Sequence, residues 1–145
     1  MKKLLGVILV LVALVHNIAS AQDENYQAKQ QLHQFKLKTK LQPESGEVNF
    51  RGLSKPELQS KLNSLLNVAA DEFIKILNDG PTDKKFQESI AQGLTRFNPF
   101  YTDLDTEDKT RICTYFEELM DDVGLESSGG VINKWMYGFD PTVKQ

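Results

Sequence analysis

The sequence has few of the residues most often found at catalytic and metal sites. It contains one cysteine, Cys113, and two histidines, His16 and His33, in 145 residues. A single cysteine cannot close a disulfide within the chain, so the folded unit depends on apolar burial. A serine nucleophile needs a base, usually histidine, held by a third group. Because His33 precedes the folded unit predicted below, the sequence excludes a Ser-His triad inside that unit.

The sequence also lacks an apolar run long enough to cross a membrane. Its apolar run near the N-terminus, Leu4–Val15, has 12 residues, whereas a transmembrane helix needs about 20. Lys2-Lys3 precede this run, and Ala19-Ser20-Ala21 places small residues where a signal peptidase reads them. We therefore predict a signal peptide at residues 1–21, and the alternative is an uncleaved N-terminal anchor.

Cleavage between Ala21 and Gln22 would leave 124 of the 145 residues, for export to the periplasm or the extracellular space. Residues 22–52 carry five basic and four acidic side chains, whereas residues 53–145 carry ten basic and sixteen acidic ones. Residues 53–145 are therefore acidic, and their net negative charge repels both nucleic acids and anionic membrane surfaces. We predict no nucleic-acid partner, no stable membrane association after cleavage, and a basic protein as the partner that charge would favour.

Residues 22–52 are rich in glutamine and lysine, and their apolar positions are sparse. The spacing fits neither a helix nor a strand well, although a transient helix around Tyr26–Phe35 is compatible with it. Turn-forming residues at Pro43–Gly46 end this segment. We predict a flexible lead-in over 22–52, a folded unit over 53–141 and a C-terminal tail at 142–145.

The first two predicted helices of the folded unit have apolar residues at spacings of three and four. One opens at a capping Ser54, with Glu57 placed to reach back to the cap, and ends at Gly80-Pro81. The other follows Thr82 as its cap and ends before a proline. Gly93 within it costs helix stability, so we expect a close helix contact there.

Two further helices complete the predicted unit. The third is capped by Asp105 or Thr106 and ends at Gly124, and a short fourth covers about Val131–Tyr137. The predicted fold class is all-α, a small bundle of three long helices with a short C-terminal helix.

The acidic run Asp103–Asp108 permits a calcium-loop interpretation. Counted from Asp103, the sixth and twelfth positions hold Asp108 and Thr114, where an EF-hand loop needs glycine and glutamate. Helix capping explains these acids more simply. We predict no metal site and no cofactor.

Four carboxylates on the third helix are the first candidate binding residues. They lie opposite the Phe116/Met120 stripe, so helical geometry points them outward, and the simplest interpretation is a solvated surface. The alternatives are a docking face for a basic partner or an acid-base pair with split pKa values. The residues are Glu117, Glu118, Asp121 and Asp122.

The C-terminal end supplies a second set of candidates, in which polar side chains lie beside aromatic ones. These residues are Glu126, Asn133, Trp135, Tyr137 and Asp140. They would be the contacts of a ligand bound at this end, whereas the alternative is that the short helix packs onto the bundle. Cys113 adjoins an apolar stripe, so we expect a buried and unreactive thiol.

Several long strings over residues 53–141 are typical of one family. They are Gly93-Leu94, Leu104–Asp108, Thr114–Asp121, Gly124–Gly130 and Asn133–Pro141. Through them the sequence resembles a bacterial family known as domain of unknown function number 4844. The resemblance implies a small α-helical domain and brings with it no activity, ligand or established site.

The sequence-based hypothesis is a non-enzymatic protein-binding module of inhibitor or immunity type, with no catalytic residues. Two alternatives stay open. One is a hydrolase-like enzyme using acid-base chemistry near Glu126 and Asp140, and the other is a structural domain that associates with itself.

Overall fold

Five α-helices account for most of the computed structural model, which describes residues 2–45 and 49–138 and gives side chains from residue 20 onward. Two 3₁₀ turns, Pro56–Leu58 and Asn98–Phe100, lie between helices. Within these ranges β pairing is confined to one isolated bridge, Glu44–Phe50, so the all-α class is confirmed. The helices are α1 (Lys2–Leu37), α2 (Gln59–Asn78), α3 (Asp83–Thr95), α4 (Thr106–Val123) and α5 (Val131–Tyr137).

Three helix ends follow the local chemistry that the sequence predicts. The Thr82 hydroxyl accepts a hydrogen bond from the Lys85 amide at 3.3 Å, which caps α3. Asp105 and Asp108 form a reciprocal capping box at the start of α4. Gly124, with φ +69°, ends α4 in the left-handed conformation that glycine adopts without strain.

The start of α2 differs from the prediction, because Ser54 does not cap it. A 3₁₀ turn precedes α2, which begins at Gln59 without a side-chain cap. The Ser54 hydroxyl instead donates to the Asp108 carboxylate of α4. Asp108 is only 1% exposed, and a buried carboxylate is costly unless donors reach it. Ser54 therefore bonds to a buried carboxylate that is distant in sequence instead of capping α2.

The core lies around α2, which packs against α1, α3 and α4, while α5 closes the end between α3 and α4. Gly93 of α3 is buried at the contact with α4, as predicted. A Cβ atom there would lie 2.8 Å from Phe116 Cε1. The central buried residues are Leu62, Leu66, Ala69, Phe73, Ile90, Leu94, Ile112, Phe116 and Leu119.

Residues 22–37 form the second half of α1, and this contradicts the predicted flexible lead-in. Ala28, Leu32 and Phe35 are buried in the core, and Leu41 and Phe50 join them from the connection to α2. The three α1 residues are four and three apart, which places them on one face of the helix. The apolar positions are sparse because only one narrow face of α1 meets α2 and α4. No helix in the described part of the chain is long and apolar enough to cross a membrane.

Candidate functional site

The four carboxylates of α4 do not form a single face. Residues four apart lie on one line of a helix, so Glu117 and Asp121 share one line and Glu118 and Asp122 share the next. Glu117 and Asp121 are exposed, whereas Glu118 and Asp122 are partly covered. The acidic surface expected from the sequence is therefore divided between two sides of α4.

Glu118 is neutralised by Lys38, which follows α1. The Lys38 ammonium donates to both Glu118 carboxylate oxygens. It also lies 5.2 Å from the centroid of the Phe35 ring and 5.3 Å from that of Tyr115. This ion pair joins the end of α1 to α4, so Glu118 contributes to the packing of α1.

Asp122 lies in a cleft between α1 and α4, with a volume of about 290 Å³. Its Oδ2 atom is shielded from solvent and accepts no hydrogen bond from the described residues. Burial, together with the negative charges of Glu118 and Asp121, raises the pKa of Asp122 to about 6, although Lys38 opposes the shift. The cleft, here called the α1–α4 cleft, is lined by Glu24, Asn25, Gln27, Ala28, Gln31, Leu77, Asp122, Val123 and Gly124.

Glu117 lies in a smaller cleft between α4 and α5, of about 110 Å³. Asn133 and Tyr137 of α5 also line it, so three of the predicted candidates meet here. Tyr137 is 58% exposed, which leaves much of its side chain open to solvent. This α4–α5 cleft is lined by Thr110, Cys113, Thr114, Glu117, Ile132, Asn133, Met136 and Tyr137.

Cys113 is buried, as the sequence predicts, although it borders the α4–α5 cleft. Burial and the negative charge of Glu117 raise the pKa of the Cys113 thiol to about 12. The nucleophile in cysteine chemistry is the thiolate, so this side chain stays protonated and unreactive near neutral pH.

Trp135 lines neither cleft. Its indole nitrogen donates to Asn98 Oδ1 at 3.0 Å, and its ring packs edge-on against Phe97 and Tyr101. The Tyr101 hydroxyl in turn donates to the Trp135 carbonyl at 3.3 Å. Trp135 therefore fixes α5 to the rest of the core.

The remaining C-terminal candidates are not brought to either cleft. Glu126 is exposed in the connection between α4 and α5 and lines neither one. Asp140 lies outside the described residues, as does the tail at 142–145.

The acids of the run Asp103–Asp108 have structural partners. Asp103 pairs with Lys55, and Asp105 pairs with Arg51 at 2.8 Å while it caps α4. In the chain from 2 to 45 and from 49 to 138, no group of three or more His, Cys, Asp or Glu side chains is placed to hold a metal ion.

Sequence reasoning missed Lys40, which is fully buried. Its ammonium donates to Asn67 Oδ1 at 2.8 Å and to the Lys38 carbonyl at 3.1 Å, and it lies 4.4 Å from the centroid of the Phe35 ring. Burial, helped by the charge of Lys38, lowers the pKa of Lys40 to about 8. No sequence pattern marks this lysine, because the side chain that accepts from it, Asn67, comes from α2.

The backbone beside Lys40 is also held by side chains of α2 and α4. Asn63 accepts from the Lys40 amide at 3.1 Å, and Gln59 donates to the Lys40 carbonyl at 2.7 Å. Leu41 follows with φ +62°, a conformation unusual for leucine, and its amide donates to the Tyr115 hydroxyl at 3.1 Å. These bonds fix the chain after α1 against the two helices that α1 covers.

Comparison with known proteins gives a family and a related crystal structure. A family model described as "Domain of unknown function (DUF4844)" matches residues 22–140. The crystal structure of a DUF3571 family protein from Acinetobacter baumannii is similar, with 34% sequence identity and a TM-score of 0.71. The similarity covers 80% of this chain and 93% of that chain. No curated protein matches at a significant level.

Proposed function

This chain belongs to the family described as domain of unknown function DUF4844, and we propose that it is an exported, non-enzymatic module that binds a basic protein. The observation that carries the proposal is the placement of α4 acids at two clefts, Glu117 at one and Asp122 at the other. Neither of them, nor Asp121, forms an ion pair with a described lysine or arginine. Glu117 and Asp121 are also exposed, so their carboxylates are open to cations from outside the chain.

The α4–α5 cleft has the composition of a small protein-contact site. Exposed aromatic side chains beside polar groups are enriched among the residues that dominate protein interfaces. Tyr137 supplies the aromatic surface, while Glu117 supplies a charge that attracts a basic partner. At about 110 Å³ the cleft is well below the roughly 300–1,000 Å³ of typical small-molecule sites. Its size favours a protein side chain as occupant.

Two observations support binding in preference to catalysis. The thiol that borders the α4–α5 cleft has its pKa raised to about 12, which removes it as a nucleophile near neutral pH. Glu126, one of the two carboxylates of the enzyme alternative, is exposed and lies outside both clefts. The module is therefore proposed to act by binding to its partner protein, as an inhibitor or immunity protein does.

Export is proposed from the N-terminal sequence and gains support from the family match. The match begins at residue 22, directly after the proposed cleavage site. Among the described side chains of α1, those buried in the core are Ala28, Leu32 and Phe35, all beyond that site. Removal of residues 1–21 would therefore leave these core contacts in place.

The mass of the exported protein tests this part of the proposal. We expect the intact mass of material from the periplasm or medium to correspond to a chain that begins at Gln22, and N-terminal sequencing to agree. Recovery of residues 1–21 in the membrane fraction, still attached, would contradict export by a cleaved signal.

Binding is tested with the exported protein as bait. A specific partner should be basic. Once it is identified, calorimetry measures its affinity for the wild type and for Glu117→Gln. The affinity should fall at least several-fold in the variant and should also weaken with added salt. The matched control is Glu57→Gln, which removes an exposed acid distant in sequence from Glu117. It should bind the partner as the wild type does. A partner whose affinity ignores both Glu117 and salt would contradict the proposal.

A further inference from the structure

Gln22 would be the first residue of the exported chain, and a glutamine at that position has a chemistry that internal glutamines lack. Its α-amine can attack its own side-chain amide. We propose that Gln22 closes in this way to a pyroglutamate after cleavage, so that the mature protein begins with an uncharged lactam. This inference rests on the proposed export by a cleaved signal, and the mass expected for a chain from Gln22 is then lower by one ammonia.

The reaction takes place within one residue and balances without a co-reactant. The α-amino nitrogen of Gln22 forms a bond to Cδ, and the bond between Cδ and the amide nitrogen Nε2 breaks. The proton that the amine loses leaves with Nε2 as ammonia. The five-membered ring that results contains the backbone nitrogen, as the ring of proline does.

The position of Gln22 on α1 leaves room for ring closure. Its side chain is exposed, so no core packing has to break. In the uncleaved helix its backbone N–H bonds to a carbonyl one turn earlier, which leaves with residues 1–21. The first N–H groups of a helix have no acceptor within it, and helices accept the ring of proline at their first position. A lactam at Gln22 is therefore compatible with a helical start to the mature α1.

The charges at the start of the mature α1 also suit the lactam. The N-terminal end of a helix carries a partial positive charge, which acids stabilise and a cation does not. Asp23 and Glu24 follow Gln22 within α1 and would fall in its first turn after cleavage. Cyclisation removes the α-ammonium charge. The two acids then interact with the helix dipole without a competing cation beside them.

A lactam at residue 22 would protect a weakly held stretch of α1. Residues 22–27 are exposed or half-buried, and Ala28 is the first buried residue among the described side chains of the helix. Terminal segments with few buried contacts open locally and are open to proteases. An aminopeptidase needs a free α-amine, which the lactam does not provide. The modification therefore guards α1 up to the point where core packing holds it.

Intact mass and peptide mapping of the exported protein test the inference. The expected mass is that of residues 22–145 less one ammonia, with the loss assigned to the N-terminal peptide. N-terminal sequencing should read nothing until pyroglutamate aminopeptidase has removed residue 22, and should then begin at Asp23. A free α-amine on Gln22 after prolonged incubation at neutral pH would overturn the inference.

Two variants make the result specific. Gln22→Ala keeps a small residue after the cleavage site but has no side-chain amide, so its mass should show no loss of ammonia. Gln30→Ala changes an exposed glutamine inside α1 and should keep the loss. An ammonia loss of the same size in Gln22→Ala would place it at another residue and overturn the inference.

Digestion with an aminopeptidase tests the protective role. The wild type and Gln30→Ala should keep their full mass, whereas Gln22→Ala should lose residues from position 22 and stop near Ala28, where core packing begins. Equal shortening of all three proteins would show that the wild type has a free α-amine and would overturn the inference.

The failure of this inference and that of the proposed function can be told apart. A chain that begins at Gln22 with a free α-amine supports cleavage and overturns the cyclisation alone. A chain that still carries residues 1–21, or that begins at another residue, contradicts cleavage after Ala21, and the lactam fails with it. The binding of a basic partner is measured separately, through Glu117→Gln.

Discussion

At the scale of single residues, Asp122 and Lys40 are two ionisable side chains whose charged forms are poorly solvated. Burial raises the pKa of Asp122 to about 6 and lowers that of Lys40 to about 8. The signs differ because burial disfavours the charged form of each, which is the ionised acid in one case and the protonated amine in the other. Each group therefore makes stability depend on pH in its own range.

Asp122→Asn is expected to stabilise the protein at neutral pH. The folded state holds the Asp122 proton more tightly than the unfolded chain, where the pKa is 3.8, so the free energy of unfolding falls as pH rises from about 4 to about 6. The asparagine variant lacks this fall, so at pH 7 it should be more stable than the wild type by about 1 kcal/mol. This is less than the full pKa shift implies, because the carboxyl is partly solvated.

Urea unfolding at pH 4.5 and pH 7 measures this effect. Asp121→Asn, which changes an exposed acid one residue away, should keep most of the wild-type dependence on pH. If Asp122→Asn keeps it too, the side chain is better solvated than its buried oxygen indicates.

Lys40→Met is expected to remove a rise in stability at alkaline pH. The folded state releases the Lys40 proton near pH 8, whereas the unfolded chain releases it near 10.5, so the free energy of unfolding of the wild type should increase between these values. Urea unfolding at pH 8 and pH 10 should show the increase in the wild type and in Lys61→Met, an exposed lysine, but not in Lys40→Met. An increase of the same size in all three proteins would assign it to other groups.

At the scale of elements, the contact between α3 and α4 depends on the missing side chain of Gly93. A methyl group there would meet the Phe116 ring at 2.8 Å, and overpacking of this kind costs about 1–3 kcal/mol. Alanine recovers about 1 kcal/mol of helix propensity. We therefore expect Gly93→Ala to lower the free energy of unfolding by up to about 2 kcal/mol, as measured by chemical denaturation.

A double-mutant cycle separates these contributions. In a Phe116→Leu background the ring is gone, so Gly93→Ala should cost less than it does in the wild type. Gln92→Ala, on the exposed side of α3, should be neutral or slightly stabilising. An equal cost of Gly93→Ala in both backgrounds would show that the ring is not the obstacle.

At the scale of the whole molecule, α1 completes the core that α2 and α4 begin. Ala28, Leu32 and Phe35 are buried against them, and Lys38 pairs with Glu118. A chain that starts at Gly52 loses all of these contacts. We expect it to lack a cooperative thermal transition by circular dichroism, whereas the chain from Gln22 melts in one step.

Leu32→Ala tests the same point without truncation. Leu32 is fully buried, and such a change typically costs about 2–5 kcal/mol. The matched change Gln30→Ala lies on the exposed side of α1 and should cost little. A loss below about 1 kcal/mol in Leu32→Ala would mean that the core tolerates the loss of α1 packing.

The sequence by itself determined the all-α class, the start of α3, both ends of α4 and the C-terminal end of α5. The signals at these ends act within one helical turn: the Thr82 hydroxyl, the Asp105–Asp108 capping box, and glycine at positions 124 and 138 with positive φ. Local hydrogen bonds and backbone sterics can be read from neighbouring residues, because no distant part of the chain is needed to form them.

Only the tertiary structure decided the roles of α1, Ser54 and the α4 acids. The periodicity of α4 divides its acids into two lines, but nothing in that periodicity tells which line meets α1 and which meets α5. Glu117, Asn133 and Tyr137 come together only because α5 folds back on α4. Asp122 and Lys40 are buried by parts of the chain that are distant from them in sequence. This burial shifts the pKa of both side chains, so the shifts depend on the tertiary structure.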